Sequence, residues 1–274
     1  MKRSIVAILV LVVVNAYGQT PEMQVISGAA EALGGKNRIL SLKTITIEGH
    51  GQLAYQNGGG NIAAAPDAPQ KWINTNGVRR TMDLEHGRMR LEQRLVQDFV
   101  FAYARNMTGE VRVNQVLDGD IAYNMGADGR PARAADAGVK ARRIEMLNNP
   151  VTIVRTALDP ATKVSNFRKA AKLQLVDITT AKGDKLTLAV DSVTRLPDWV
   201  SWLGADTNLG DVIFRTSFLG YQVEKGLMLP YGYNTMMDFR DVVLRKQTKN
   251  AQDLCRRVET AGLSMQGCPV RNAF

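Results

Sequence analysis

Residue parity, more than composition, dictates the architecture open to this chain. Ile45, Ile47, Leu53 and Tyr55 share one parity with Gly49 and Gly51, while Thr44, Thr46, Glu48, His50 and Gln52 hold the other. Successive side chains of an extended chain point to opposite faces, so this is a strand with one dry and one wet side. The pattern then returns in pairs around turn residues. Glu85-His86-Gly87-Arg88 separates Met82 and Leu84 from Met89 and Leu91, and Asp118-Gly119 separates Val111 and Val113 from Ile121 and Tyr123. Lys182-Gly183-Asp184 separates Val176 and Ile178 from Leu186, Leu188 and Val190. Each turn holds residues that tolerate positive φ, which two-residue hairpins demand. Val212, Phe214, Thr216 and Phe218 alternate again, as do Tyr231, Tyr233, Met237 and Phe239. The expected class is α+β, mainly β: a strongly curved antiparallel sheet, an unclosed half-barrel, with two or three helices on its concave side.

The helices announce themselves by capping chemistry. Thr20-Pro21-Glu22 offers a hydroxyl cap, a proline for the first helical position and an acid for the positive end of the dipole. Met23, Ile26, Ala30 and Leu33 then form one apolar stripe, which Gly34-Gly35 ends. A short turn through Ile39 and Leu42 leads into the first strand. From Ala134 to Leu158 two helices are expected, the first ending near Leu147. The second is capped by Asn149, starts at Pro150 and buries Val151, Val154 and Leu158 before Asp159-Pro160 stops it. The Gly-, Ala- and Pro-rich stretch from Asn57 to Gln70 reads as a loop. Asp198, Asp206 and Asp211 surround what reads as another loop, holding Trp199 and Trp202.

The first eighteen residues read as a cleavable export signal. Lys2 and Arg3 precede ten unbroken apolar residues, Ile5 to Val14, and Ala16-Tyr17-Gly18 supplies small residues before a cut. The run is too short to span a bilayer, and no cysteine follows it for lipid attachment. A periplasmic or secreted protein is therefore expected. Removing Lys2 and Arg3 lowers the net charge from +9 to +7 and leaves 256 of the 274 residues. That surplus allows transient contact with an anionic membrane surface, and exposed sheet edges allow contact with envelope proteins. The cations are scattered, which fits a solvated surface and gives no nucleic-acid site. A single domain is expected over 19–254. Cys255 and Cys268 both fall in an atypical tail, 255–274, where a disulfide would staple the tail and not the fold.

No pattern for catalysis, a metal or a cofactor emerges. The two histidines stand alone, His50 on the wet side of a strand and His86 in a turn, and no His-Glu-x-x-His or Cys-x-x-Cys spacing occurs. Gly58-Gly59-Gly60 lacks the Lys-Ser/Thr of a phosphate loop. Asp118 and Asp120 flank Gly119 as turn residues, without the ordered oxygen ligands that calcium needs. What remains is apolar. Ten of the eleven methionines lie beyond residue 18, and several flank strands, where their pliable side chains suit either an ordinary core or a surface accepting variable apolar partners.

Particular segments carry a resemblance. Asp118-Gly119-Asp120-Ile121-Ala122-Tyr123-Asn124, Asp191-Ser192-Val193-Thr194-Arg195-Leu196-Pro197 and the stretch Phe214 to Pro230 resemble, in order and spacing, motifs of the LolA-like lipoprotein-sorting superfamily. The resemblance spans roughly Ala29 to Lys249. It implies a non-enzymatic carrier, an open half-barrel around helices whose apolar inner face receives lipid or lipoprotein acyl chains. Candidate cavity residues are those on dry strand faces: Ile45, Ile47, Met82, Leu84, Met89 and Leu91 on the earlier strands, then Ile121, Tyr123, Phe214, Phe218, Met237 and Phe239. Whether they line a cavity or fill a core stays open.

A second resemblance is to the N-terminal region of exported metallo-β-lactamase-fold hydrolases, through Ala30-Glu31-Ala32-Leu33-Gly34-Gly35 and the strand Leu42 to Gly51. The His-x-His-x-Asp-His signature of their zinc domain is absent. On that reading the chain is the accessory domain of a truncated hydrolase, and its tail is a frameshift product. An envelope scaffold that contacts proteins through sheet edges is the third reading.

Overall fold

The computed structural model describes residues 19–55, 71–97, 109–206, 209–238 and 240–247. The expected export signal (1–18), the Asn57 to Gln70 loop, Phe239 and the tail with both cysteines lie outside them. Two antiparallel meanders make up the sheet. The first runs β1 (Thr44–Ala54), β2 (Trp72–Asp83), β3 (Arg88–Gln97), β4 (Glu110–Asp118), β5 (Ile121–Met125) and β6 (Pro131–Arg133). The second runs β7 (Lys163–Ala170), β8 (Leu173–Thr179), β9 (Lys185–Asp191), β10 (Pro197–Asp206), β11 (Gly210–Glu224), β12 (Leu227–Met237) and β13 (Arg240–Gln247).

They join where β1 pairs with β13, giving one thirteen-stranded sheet with β6 and β7 at its edges and no closure into a barrel. Gly49 and Gly51 permit that join. A Cβ on either would fall onto a backbone carbonyl oxygen of β13, that of Lys246 or of Leu244.

Helices α1 (Pro21–Ala32) and α2 (Lys36–Ser41) precede the sheet, and α3 (Asp136–Leu147) and α4 (Pro150–Ala157) carry the chain from one edge to the other. The Thr20 hydroxyl accepts from the Met23 amide at 3.4 Å, and Asn149 Oδ1 accepts from the amides of Val151 and Thr152. Both caps and both following prolines act as expected from sequence. None of the helices among the described residues is long and apolar enough to cross a membrane.

The main core packs α1, α3 and α4 onto the inner face of the second meander, through Ile26, Leu33, Val151, Ile153 and Val154 against Val176, Ile178, Leu188 and Val200. These side chains are fully or almost fully withdrawn from water, each contributing about 1.5–3 kcal/mol. Two smaller clusters adjoin it: one under α3, which shares Ile45 and Ile47 with the main core, and one of Val212, Met237 and Val242. The expected loop around Trp199 and Trp202 is instead strand β10. Trp199 and Trp202 face opposite ways along it.

Candidate ligand-binding face

The first meander turns a mostly apolar inner face toward α3. Met82 on β2 stands opposite Ile45 on β1 and Met89 on β3, so the three side chains meet across adjacent strands. With Leu117, Ala122 and Val139 they form the cluster beneath α3, against which Ile47, Leu84 and Met146 also pack. Five of the candidate cavity residues, Ile45, Ile47, Met82, Leu84 and Met89, are thus gathered in one place. Leu91 is buried nearby, opposite Arg80.

The remaining candidates are dispersed. Phe218 belongs to the main core, edge-on to Tyr233 at 5.9 Å. Phe214 stacks on Trp202 at 5.6 Å, next to the cluster that contains Met237. On β5 the inward position is Ala122, so Ile121 is half exposed on the other face together with Tyr123. The short hairpin sets the register so that Leu117 opposes Ala122, which puts the smaller residue inside.

Polar groups fasten α3 to this face alongside its apolar Val139 and Met146. Glu145 accepts from Arg80 at 2.8 Å and from Arg245 at 2.5 Å, bridging β2 and β13. Arg80 also donates to the backbone oxygens of Glu145 and Asn148. Arg142 donates to the carbonyls of Val116 and Tyr123 and to the Asn124 side chain. Arg143 grips Asp184 with two bonds of 2.8 and 3.1 Å. Burial alone would raise the Glu145 carboxyl, but Arg245 and Arg80 together outweigh it and hold the group at about 2. The acid is therefore ionised at all physiological pH values.

Behind this seam, Tyr233 anchors α4. Its hydroxyl accepts from Asn149 at 3.0 Å and from Gln247 at 2.8 Å, and the Arg80 guanidinium lies 5.8 Å from its ring centre. Burial pushes the phenol up to about 12. A small pocket, partly open to solvent, lies beside it between Ile47, Gly49, His50, Val78, Arg80, Tyr233 and the Arg245 to Gln247 segment. His50 Nε2 is buried there without a partner, and burial, then Lys246, lowers its pKa, so the ring is neutral at pH 7.

The described residues contain no group of three His, Cys, Asp or Glu side chains that could hold a metal ion. Asp118 pairs with Arg88, and Asp120 with Lys182. Sequence reasoning missed the seam. One signal was present: Arg80 has the same parity as buried Val78 and Met82, a charge where the pattern requires an apolar side chain. Arg142, Arg143 and Glu145 gave no such signal, because charges on a helix ordinarily mark its wet face.

No protein-family model and no curated protein matches the chain. Among solved structures it is similar to a LolA superfamily protein from Nitrosomonas europaea, at 10% identity and a TM-score of 0.43, over 83% of this chain and 91% of that one. It is also similar to a DUF1329 family protein from Desulfovibrio piger, at 10% identity and a TM-score of 0.45, over 84% and 92% of the two chains.

Proposed function

We propose that this chain is an exported, non-catalytic carrier-type protein that holds lipid or lipoprotein acyl chains on the inner face of its open sheet. The supporting observation is how α3 is held. Beneath it lie Met82, Met89, Leu117 and the partly buried Ile45, Ile47 and Leu84, while Arg142, Arg143 and Glu145 tie it down by ion pairs and hydrogen bonds. A helix held this way can lift its N-terminal part from the apolar surface while Ile144 and Leu147, at its other end, stay in the main core on the second meander. Methionines in the exposed surface would then adapt to chains of different length. The export-signal pattern at residues 2–18 fits delivery to the periplasm, where acyl chains need shielding from water.

The test is direct. The chain from residue 19 onward is purified without detergent, extracted with organic solvent and examined by mass spectrometry, and a dansyl-labelled fatty acid is titrated into the stripped protein. Copurified acyl lipid and saturable probe binding are expected. Protein that carries no lipid and leaves the probe dark, even when Glu145→Gln has loosened α3, would overturn the reading.

A further inference from the structure

The sheet is open by hydrogen bonding, yet its two arms touch. The β4–β5 turn and the β8–β9 turn each adjoin a penultimate strand, β5 near one edge and β8 near the other. In a flat sheet ten strand spacings would separate β5 from β8, roughly 48 Å at about 4.8 Å each. Here Lys182 Nζ of one turn lies 2.5 Å from Asp120 Oδ2 of the other. The sheet therefore curls almost into a ring, and charge spans the interval between its arms.

The contact has two unequal halves. Asp120 and Lys182 are 60% and 57% exposed, and the Lys182 bond, more than any other influence, lowers the Asp120 pKa. Arg143 of α3 stands 3.8 Å from Asp120 but holds Asp184, whose side chain is only 4% exposed, far more closely. The buried half binds α3 to the β8–β9 arm and is costly to break. The exposed half is screened by salt and weak enough to part by thermal motion. An exposed ion pair is ordinarily a minor contact. This one gains consequence from its place, because it is the direct tie between the two turns, and parting it frees their tips while α3 still holds both arms.

We infer that the Asp120–Lys182 pair is a clasp, and that the gap between the β4–β5 and β8–β9 turns is where an acyl chain enters and leaves, more often as ionic strength rises. The role of the gap rests on the acyl-binding reading; the clasp itself rests on geometry alone. Other ties of α3 to the first meander, through Arg142 and Glu145, lie deeper than the clasp and set how far the arms can part.

Spin labels at Ile121→Cys and Ala181→Cys, with Cys255 and Cys268 changed to serine in the full chain, report the tip-to-tip distance by pulsed dipolar spectroscopy. One short, narrow distance is expected at low salt. A longer population should join it as salt rises from about 50 mM to about 1 M, a range over which the screening length falls severalfold. Asp120→Asn should show that longer population at low salt, and Lys182→Glu should enlarge it. Release of the dansyl fatty acid should quicken in step, roughly two- to fivefold, as loss of an exposed pair allows. Distances unmoved by both substitutions and by salt overturn the clasp, whether or not the probe binds. Distances that respond in protein that binds no probe in any form support the clasp and overturn the acyl-binding reading, and with it the gap's role as a portal.

Discussion

Arg142 and Arg143 are consecutive on α3, yet their guanidinium groups bind opposite arms of the sheet. Arg142 reaches into the first meander, to Val116 and Tyr123 carbonyls at 2.7 and 2.9 Å, while Arg143 takes Asp184 at the β8–β9 turn. About 100° of helical rotation separates neighbouring side chains, and long ones can then fan to either side of a groove floor. Glu145 adds a third attachment at the centre, between β2 and β13. One helix thus spans the curl of the sheet from arm to arm.

The two arginines should fail differently. Arg142→Met leaves carbonyl oxygens without their donor and is expected to lower stability by about 1–3 kcal/mol. Arg143→Met leaves the nearly buried Asp184 carboxylate without its partner, a loss of about 3–5 kcal/mol. Combining Arg143→Met with Asp184→Leu should lose less than Arg143→Met alone, because no stranded charge remains. Urea unfolding midpoints of the four proteins decide this, and equal losses for the single and double variants would show that Asp184 is adequately solvated.

Gly49→Ala should break the join between the meanders. Its new Cβ would collide with the backbone of β13, which cannot swing aside as a side chain can. A loss of about 3 kcal/mol or more, or failure to fold, is expected, with the same for Gly51→Ala. Gly119→Ala is the comparison. It has positive φ but open space around its Cβ, so only the left-handed backbone is penalised, at about 1–2 kcal/mol. Thermal melts with equal shifts at all three positions would contradict the steric account.

Asn149 serves two partners from one side chain, and substitutions can separate them. Asn149→Ala removes both the α4 cap and the donor to Tyr233, so a loss of about 2–3 kcal/mol is expected. Asn149→Ser can keep the cap and lose only the Tyr233 bond, at about 1 kcal/mol. Chemical denaturation distinguishes the two, and identical losses would mean that the cap contributes nothing.

The same residue shows what was readable in the sequence. Asn149-Pro150 marked the α4 start because a cap and a fixed φ are local properties, and Lys182-Gly183-Asp184 marked a hairpin for the same reason. The fold class followed from many such local signals. The role of those residues in the site did not. Nothing near Lys182 says that it will meet Asp120, because that contact depends on the accumulated curl of the strands between them. Nor does Ile121 reveal that Ala122, not itself, faces inward. A shift of one residue in a short strand exchanges its faces, and the local alternation is too brief to fix it.

Acid should release α3 through Glu145. Its folded pKa of about 2 lies below the ordinary glutamate value of 4.5 because Arg245 and Arg80 outweigh the effect of burial. A depressed folded value means the unfolded chain takes up the proton first. The stabilisation is therefore whole above about pH 5 and drains as pH falls from 4.5 toward 2. The shift corresponds to about 3 kcal/mol across that interval. Glu145→Gln removes the titration, so its stability should be lower at pH 7 and flatter through the acid range than that of the parent chain. Unfolding free energies at pH 7, 5, about 3.5 and about 2.5 measure the slope directly. A parent slope that Glu145→Gln leaves intact would assign the acid sensitivity to other carboxylates and remove Glu145 as the pin of α3.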